Sequence, residues 1–314
     1  MQLPVMGNEV ESGLRRILGS DLKTNKPLAP FTGYKTGGSA RFFVEVFSSD
    51  DVVRAVKAAR ELSVPFVLLG GGSNLLVSDE GYDGLIIRVA ISGLRLADPA
   101  TIECGAGEQL TALVDYATDN GLAGLEFAAG IAGTVGGAIF GNAGAYGGEI
   151  GKVLSSVTLV DRQGVVRKAG PAECGFAYRD SDLKKTGEVI VTAQVTLVPE
   201  TTEAVRRRVE DILARRKAKL PQDIDSAGCF FKNIPDREQP HGKMAAGRLL
   251  DEAGAKGMTV GAAKVSREHA NIIVNTGGAT SKDIDKLADL LKQRVQKRFG
   301  ITLEEEVIRI GHFE

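Results

Sequence analysis

Over the first third of the chain, apolar positions switch between strand-like and helix-like spacing. Residues 41–47 (RFFVEVF) and 64–69 (VPFVLL) are short apolar runs that read as strands. Between them, DDVVRAVKAAREL from Asp50 has helical spacing, with Val53, Val56 and Leu62 on its apolar face and Ser49 or Asp50 as the cap. This β-α-β unit delivers the chain to Gly70. A strand over 85–89 (LIIRV) and a helix from about Glu108, ending at Gly121 as its C′ residue, continue the pattern. Strands follow over 153–161 and 188–198, the second alternating cleanly at Val189, Val191, Ala193, Val195 and Leu197. A basic helix over about 203–219 is stopped by Pro221. The last hundred residues predict a short helix over 245–253 and a long one over 281–299. In the long helix Ile284, Leu287, Leu291, Val295 and Phe299 form one stripe. Gly300 ends it, and ITLEEEVIRIG reads as a final strand.

This mixture predicts an α+β layered architecture, and 314 residues exceed one compact core, so two or three lobes are expected. One lobe is placed at 221–301, with the terminal strand, 302–314, returning to the earlier part of the chain.

Two glycine runs interrupt the periodicity. Gly70-Gly71-Gly72-Ser73-Asn74 follows an apolar strand, so it is either a tight structural turn or a backbone cradle whose N–H groups converge on a phosphate. Residues 129–151 carry nine glycines and hardly any charge; within them Gly133-Thr134-Val135-Gly136-Gly137-Ala138 suits close packing of elements or a backbone pressed against a flat ring or diphosphate. Two such runs, neither with the Lys-Ser/Thr of a P-loop, favour a bound dinucleotide over ATP hydrolysis. The stretch 102–110 (IECGAGEQL) imitates a Rossmann fingerprint, but Leu110 occupies the third glycine position.

Composition narrows the classes. Hydrophobic residues at 43% and charged residues at 25% are those of an ordinary globular protein. A formal net charge of −1 means that an anionic ligand must be held by local groups, which weighs against bulk nucleic-acid binding. Cys104, Cys174 and Cys229 are odd in number and widely spaced, so reduced thiols are expected. His241, His269 and His312 lack metal-site spacing, and no metal is expected. No stretch has the length of an apolar membrane span or signal h-region, which makes the cytoplasm the default compartment.

Seven blocks in order then carry a resemblance: YKTGGSARFFVEV (34–46), LLGGGSNLLVSDEGYDGLIIRV (68–89), GLEFAAGIAGTVGGAIFGNAGAYGGEIG (124–151), CGFAYRDS (174–181), SAGCFFKNIP (226–235), AGRLLDEAGAKG (246–257) and LEEEVIRIG (303–311). Together they resemble the UDP-N-acetylenolpyruvoylglucosamine reductase family. The resemblance implies a vanillyl-alcohol-oxidase-type module of two FAD-binding subdomains, 1–90 and 91–220, to the second of which the terminal strand returns. The third domain, 221–301, would bind substrate. The short stretch between Tyr178 and Val189 leaves no room for a substrate-covering tyrosine loop, as in type II members.

The implied activity is NADPH-dependent reduction of UDP-N-acetylglucosamine enolpyruvate to UDP-N-acetylmuramate for peptidoglycan, with non-covalent FAD and no nucleic-acid, membrane or obligate protein partner. Arg179 in YRDS matches the catalytic arginine, and its planar fork suits a carboxylate; read alone, it could equally pair with Asp180 or Asp182. Glu306 matches the catalytic glutamate. Strand alternation would put it beside Ile308 and Ile310 in a partly desolvated space, whereas Glu304 and Glu305 make a plain acidic run the alternative. Cys229 stands where a serine proton donor is expected, and its thiol can supply that proton or be a small core residue.

Cofactor contacts are implied for Tyr34, for Gly70, Gly71, Gly72, Ser73, Asn74 and Leu75, for Ile131, Gly133, Thr134, Val135 and Gly136, and for Asn142 and Arg179. Lys219, Lys232 and Asn233 would meet the UDP-sugar. Arg206, Arg207, Arg208, Arg215 and Arg216 read as a solvated helix face, and His269 as a satisfied structural histidine. Two rival readings are an FAD-dependent oxidase of the same fold and a non-catalytic nucleotide-binding module. The absence of histidine in 70–74 weighs against the covalent flavin of many such oxidases.

Overall fold

The computed structural model describes residues 7–221, 224–236, 238 and 242–313; His241 lies outside them. The chain divides into two compact units. Unit 1 takes the residues up to Lys26, Ala40–Gly71 and Asp83–Leu213; unit 2 takes Pro27–Ser39, Gly72–Tyr82 and the chain from Ala214 on.

In unit 1, the strands Lys23–Pro27, Ser39–Val46, Tyr82–Val89 and Phe66–Leu69 lie in that order in one sheet. Phe66–Leu69, reached from Ser39–Val46 through one helix, runs parallel to Tyr82–Val89, with Phe66 opposite Leu85. The connecting helix, Ser49–Glu61, is capped by Ser48, whose side chain accepts from the Asp51 N–H. The cap therefore falls one residue before the expected Ser49. Its buried positions are Val52, Ala55, Val56, Ala58 and Ala59. Val53 and Leu62 stay only partly buried, because the alanines let the opposite edge of the helix close onto the core.

The second sheet of unit 1 is antiparallel, in the order Val166–Ala169, Leu154–Val160, Val189–Thr196, Thr101–Gly105 and Leu94–Asp98. Val189, Val191, Ala193, Val195 and Leu197 are all buried, as the period of two predicts. One hydrophobic core runs from Phe42, Val56 and Ile87 through Leu113 and Ile139 to Val157 and Val195.

Unit 2 is built on the helix Ser281–Phe299. Thr280 and Asp283 form its capping box, and Gly300, at φ 69°, ends it in the left-handed conformation. Ile284, Leu287, Leu291 and Val295 are fully buried against Leu250, Val265, Ile273 and Phe230. A three-stranded antiparallel sheet of Thr259–Val260, Ala263–Val265 and Ile273–Asn275 packs with them. Asp79 accepts from the Ser281 and Lys282 N–H groups at 2.8 and 2.9 Å, and Ser281 Oγ lies 2.9 Å from Thr36 Oγ1. These bonds tie residues 27–39 and 72–82 to the C-terminal part, a partnership no local pattern in the sequence announces.

The terminal strand is shorter than expected and pairs elsewhere. Only Ile308–Ile310 is regular, and it runs parallel to Leu75–Val77, not to any strand of 91–220. Leu303, Val307 and Ile310 are the buried positions, so simple alternation fails here. The reason is that 304–306 bond to the irregular segment 230–232: Lys232 N–H donates to Glu304 O, and Glu306 N–H to Phe230 O, both at 2.8 Å. No helix among the described residues is long and apolar enough to cross a membrane.

Candidate functional site

In unit 1 the two glycine runs meet. A Cβ on Gly70 would stand 2.6 Å from Thr134 Oγ1, and one on Gly71 2.8 Å from Gly133 Cα. No side chain fits at either position, so the runs touch backbone to backbone. Thr134 caps the short helix Val135–Phe140, its side chain accepting from Gly137 N–H.

Behind this contact lies the stretch that imitates a Rossmann fingerprint. Val135 N–H donates to Glu108 O at 2.9 Å and Gly136 N–H to Ala106 O at 2.8 Å, while Leu110 N–H donates to Gly133 O at 3.0 Å. The GxGxx segment is thus the backing of the second glycine run. Val135 and Gly136, expected to meet a cofactor, have amides that serve the protein's own carbonyls, and the Val135 side chain is wholly buried. Ile131 and Thr134 flank the run, Ile131 half-buried and Thr134 buried.

Arg179 sits on a tight turn of unit 1, closed by reciprocal backbone bonds between Ala177 and Asp180. It is half-buried at φ 55°, with its guanidinium 5.5 Å from the Tyr178 ring centroid. Asp182 pairs with Lys185, and Asp180 with Lys184. Asn142, expected to touch the cofactor, is 1% exposed and spends its amide inside the protein, donating to Ala177 O at 2.8 Å and accepting from Gly151 N–H at 3.1 Å.

In unit 2, Gly72 needs its left-handed φ of 64°, and a Cβ there would fall 1.8 Å from Phe31 O. Asn74 follows. Its Nδ2 donates to Glu306 O at 3.0 Å, and its own carbonyl accepts from Ile308 N–H at 3.1 Å. Since Glu306 N–H is held by Phe230 O, the Glu306 peptide is fixed on both sides, one side by the glycine-run asparagine and the other by the residue after Cys229.

Cys229 is partly buried and bridges to Ile272 through its backbone. Gly228 precedes it at φ 72° beside open space, while Phe230 and Phe231 are fully buried. Cys229 is therefore not a plain core residue, unlike Cys104 and Cys174, whose thiols burial pushes up, Cys104 to about 12. Asn271 does the local positioning. Its side chain accepts from Phe231 N–H at 3.0 Å and donates to Phe231 O at 2.8 Å, and its carbonyl accepts from Phe230 N–H. His269 Nδ1 in turn accepts from Asn271 N–H at 3.3 Å, and burial holds the imidazole below its ordinary pKa. No local pattern marks Asn271 in the sequence beyond its place two residues after His269.

Tyr34, expected to meet the cofactor, is 0% exposed and packed in the unit 2 core with Leu76 and Phe230, and its hydroxyl lies by the Ala227 backbone and Cys229. Burial pushes that hydroxyl far above its usual range.

The three glutamates of LEEEV separate in role. Glu304 is exposed and ion-paired with Lys232, and Glu305 pairs with Lys292 at 2.8 Å and Arg309 at 3.0 Å. The Glu306 peptide is the one bonded on both sides, by Asn74 Nδ2 and by Phe230 O. Among the residues expected to meet UDP, Asn233 Oδ1 accepts from Ala246 N–H at 3.1 Å, and Lys219 is exposed at the end of Thr202–Lys219. Arg206 pairs with Asp119, and Arg208 with Glu126 and Glu200, as an exposed helix face does. Among the described residues no group of three His, Cys, Asp or Glu side chains could hold a metal ion.

Comparison with known proteins finds relatives over most of the chain. Residues 40–170 match the profile of the FAD binding domain, and residues 220–310 that of the UDP-N-acetylenolpyruvoylglucosamine reductase, C-terminal domain. The chain is 39% identical over 292 residues to UDP-N-acetylenolpyruvoylglucosamine reductase 2 of Symbiobacterium thermophilum, covering 93% of this chain and 92% of the relative. It is 38% identical over 299 residues to the reductase of Desulforamulus reducens, covering 95% and 96%. The crystal structure of UDP-N-acetylenolpyruvylglucosamine reductase (MurB) from Thermus caldophilus superposes with a TM-score of 0.77 at 36% identity, covering 92% of this chain and 98% of that one. An FAD-binding oxidoreductase with an α+β fold, the chain belongs to the UDP-N-acetylenolpyruvoylglucosamine reductase family.

Proposed function

We propose that the chain reduces UDP-N-acetylglucosamine enolpyruvate to UDP-N-acetylmuramate with NADPH, in the cytoplasm, and that Arg179, Cys229 and Glu306 carry the protein's share of the chemistry. The observation that supports this most is the fixing of the Glu306 peptide between Asn74 and Phe230, which joins three blocks far apart in sequence at one point of unit 2. The glycine contact of unit 1 fits FAD: Gly70, Gly71 and Gly133, with Thr134 beside them, bring side-chain-free backbone to the place where a diphosphate needs close approach. Gly72, Ser73, Asn74, Leu75 and Ile131 are the further residues proposed to hold it. When bound, FAD supplies the hydride chemistry, accepting from NADPH and donating to the enolpyruvyl double bond.

The chain's residues handle charge and proton. Arg179 binds the substrate carboxylate with two parallel N–H donors, so charge pushed onto that group during reduction meets a fixed cation. Glu306 shares a proton with the same carboxylate end. Cys229 Sγ–H gives its proton to the carbon next to the carboxylate, a role open to a thiol with reference pKa about 8.5. Lys219, Lys232 and Asn233 bind the UDP-sugar. The test is anaerobic turnover: loss of NADPH should depend strictly on the enolpyruvyl substrate and match the UDP-N-acetylmuramate formed. NADPH loss without that product would sink the proposal.

A further inference from the structure

We propose that Asn142 is a positioning residue for Arg179, holding the turn that aims the guanidinium; this rests on the reading of Arg179 given above. Arg179 occupies the third position of the turn 177–180 at φ 55°. Glycine or asparagine is the favoured residue at such a position, and the left-handed conformation strains other residues. Strain of this kind persists only where the surroundings over-determine it.

Three side chains of unit 1 do so. Asn142 Nδ2 donates to Ala177 O at 2.8 Å, so that carbonyl accepts both from the amide and from Asp180 N–H at 3.1 Å. Ser181 Oγ donates to Phe140 O at 2.7 Å, and Lys184 Nζ to Arg179 O at 2.7 Å. Asn142 and Ser181 are each 1% exposed, so water cannot stand in for these bonds.

The origin of the clamps gives them a function. Phe140 ends the short helix that begins beside Gly133 and Thr134, the residues in contact with Gly70 and Gly71, and Asn142 follows directly after its cap, Gly141. One rigid element thus carries the glycine contact at its start and the hold on Arg179 at its end. Asn142 is itself at φ 44°, where glycine would serve if only the chain's path mattered. An asparagine there adds two bonds, one to Gly151 N–H and one to the arginine turn.

Asn142→Asp separates these bonds. Aspartate tolerates the left-handed backbone and still accepts from Gly151 N–H, but it faces Ala177 O with an acceptor in place of a donor. Three things are measured on the FAD-loaded protein: reduction by NADPH, reoxidation by the enolpyruvyl substrate, and hydrogen exchange of peptides covering 177–182. FAD affinity is measured on reconstitution.

The expected result is reoxidation slowed about ten-fold, the scale of one lost positioning bond. FAD affinity and reduction by NADPH should stay within about two-fold, and 177–182 should exchange faster. Asn142→Asp combined with Arg179→Lys should be no slower than Arg179→Lys alone, because the clamp acts only through the arginine. Ser181→Ala, which removes the second clamp, should move reoxidation and exchange in the same direction and keeps the test open if Asn142→Asp fails to fold. Additive losses in the double variant, or wild-type kinetics in Asn142→Asp beside a crippled Arg179→Lys, would overturn the proposal. Arg179→Lys at the wild-type rate would overturn the reading of Arg179 itself, and the proposal with it.

Discussion

Asn74 holds Glu306: its Nδ2 donates to the Glu306 carbonyl at 3.0 Å across 232 residues of sequence, and its own carbonyl takes the Ile308 N–H. A residue of the glycine run therefore sets where the glutamate stands.

Asn74→Asp is close to isosteric, yet it cannot donate to the Glu306 carbonyl. Losing one such bond costs about 1 kcal/mol, and the acceptor left behind is partly buried. Flavin reoxidation by substrate should slow roughly ten-fold while reduction by NADPH changes less. Rapid mixing of each half-reaction checks this; equal slowing of both would show that Asn74 serves the cofactor alone.

Cys229 is the most accessible of the three thiols. Cys229→Ser should keep substantial activity, whereas Cys229→Ala should bleach normally with NADPH and reoxidise with substrate about 100-fold or more slowly. Normal turnover of the alanine variant would remove the thiol from the mechanism.

The same exposure predicts selective oxidation. Peroxide should convert Cys229, and neither Cys104 nor Cys174, to sulfenic acid, because burial raises the thiol pKa of the other two and shields them. Peptide mass spectrometry with a sulfenic-acid trap reads this directly; modification at Cys104 first would contradict the burial argument.

Tyr34→Phe tests whether that residue meets the cofactor. Removing the hydroxyl from a fully buried ring should change unfolding free energy by about 1 kcal/mol or less and leave FAD affinity unaltered. A marked loss of flavin binding would restore Tyr34 to the cofactor site.

His269 gives the pH dependence. Burial depresses its pKa in the folded state below 6.5, so the unfolded chain takes up a proton first as pH falls. The histidine's contribution is therefore present above the unfolded value and lost as pH drops through 6.5 toward the folded value. His269→Gln should flatten the decline in thermal stability over that interval. An unchanged decline would assign it to other groups.

What could be read in the chain beforehand follows a physical line. The helix Ser281–Phe299 was legible because stripe, cap and C′ glycine are all local. The terminal strand was not, since its partners are Asn74 and Phe230, and alternation assumes a regular ladder that 304–306 do not join. The stretch 102–110 has a fingerprint's spacing, yet it supplies carbonyls to the second glycine run. Tyr34 and Asn142 stood in cofactor-like contexts, and only their burial separates packing and positioning from contact.

The central claim is tested most directly by adding NADPH anaerobically to the purified FAD-loaded protein until the flavin bleaches, then adding UDP-N-acetylglucosamine enolpyruvate. The yellow colour should return with that ligand and not with UDP-N-acetylglucosamine. Persistence of the bleached state with the enolpyruvyl ligand, or its rapid recovery with air alone, would contradict the account.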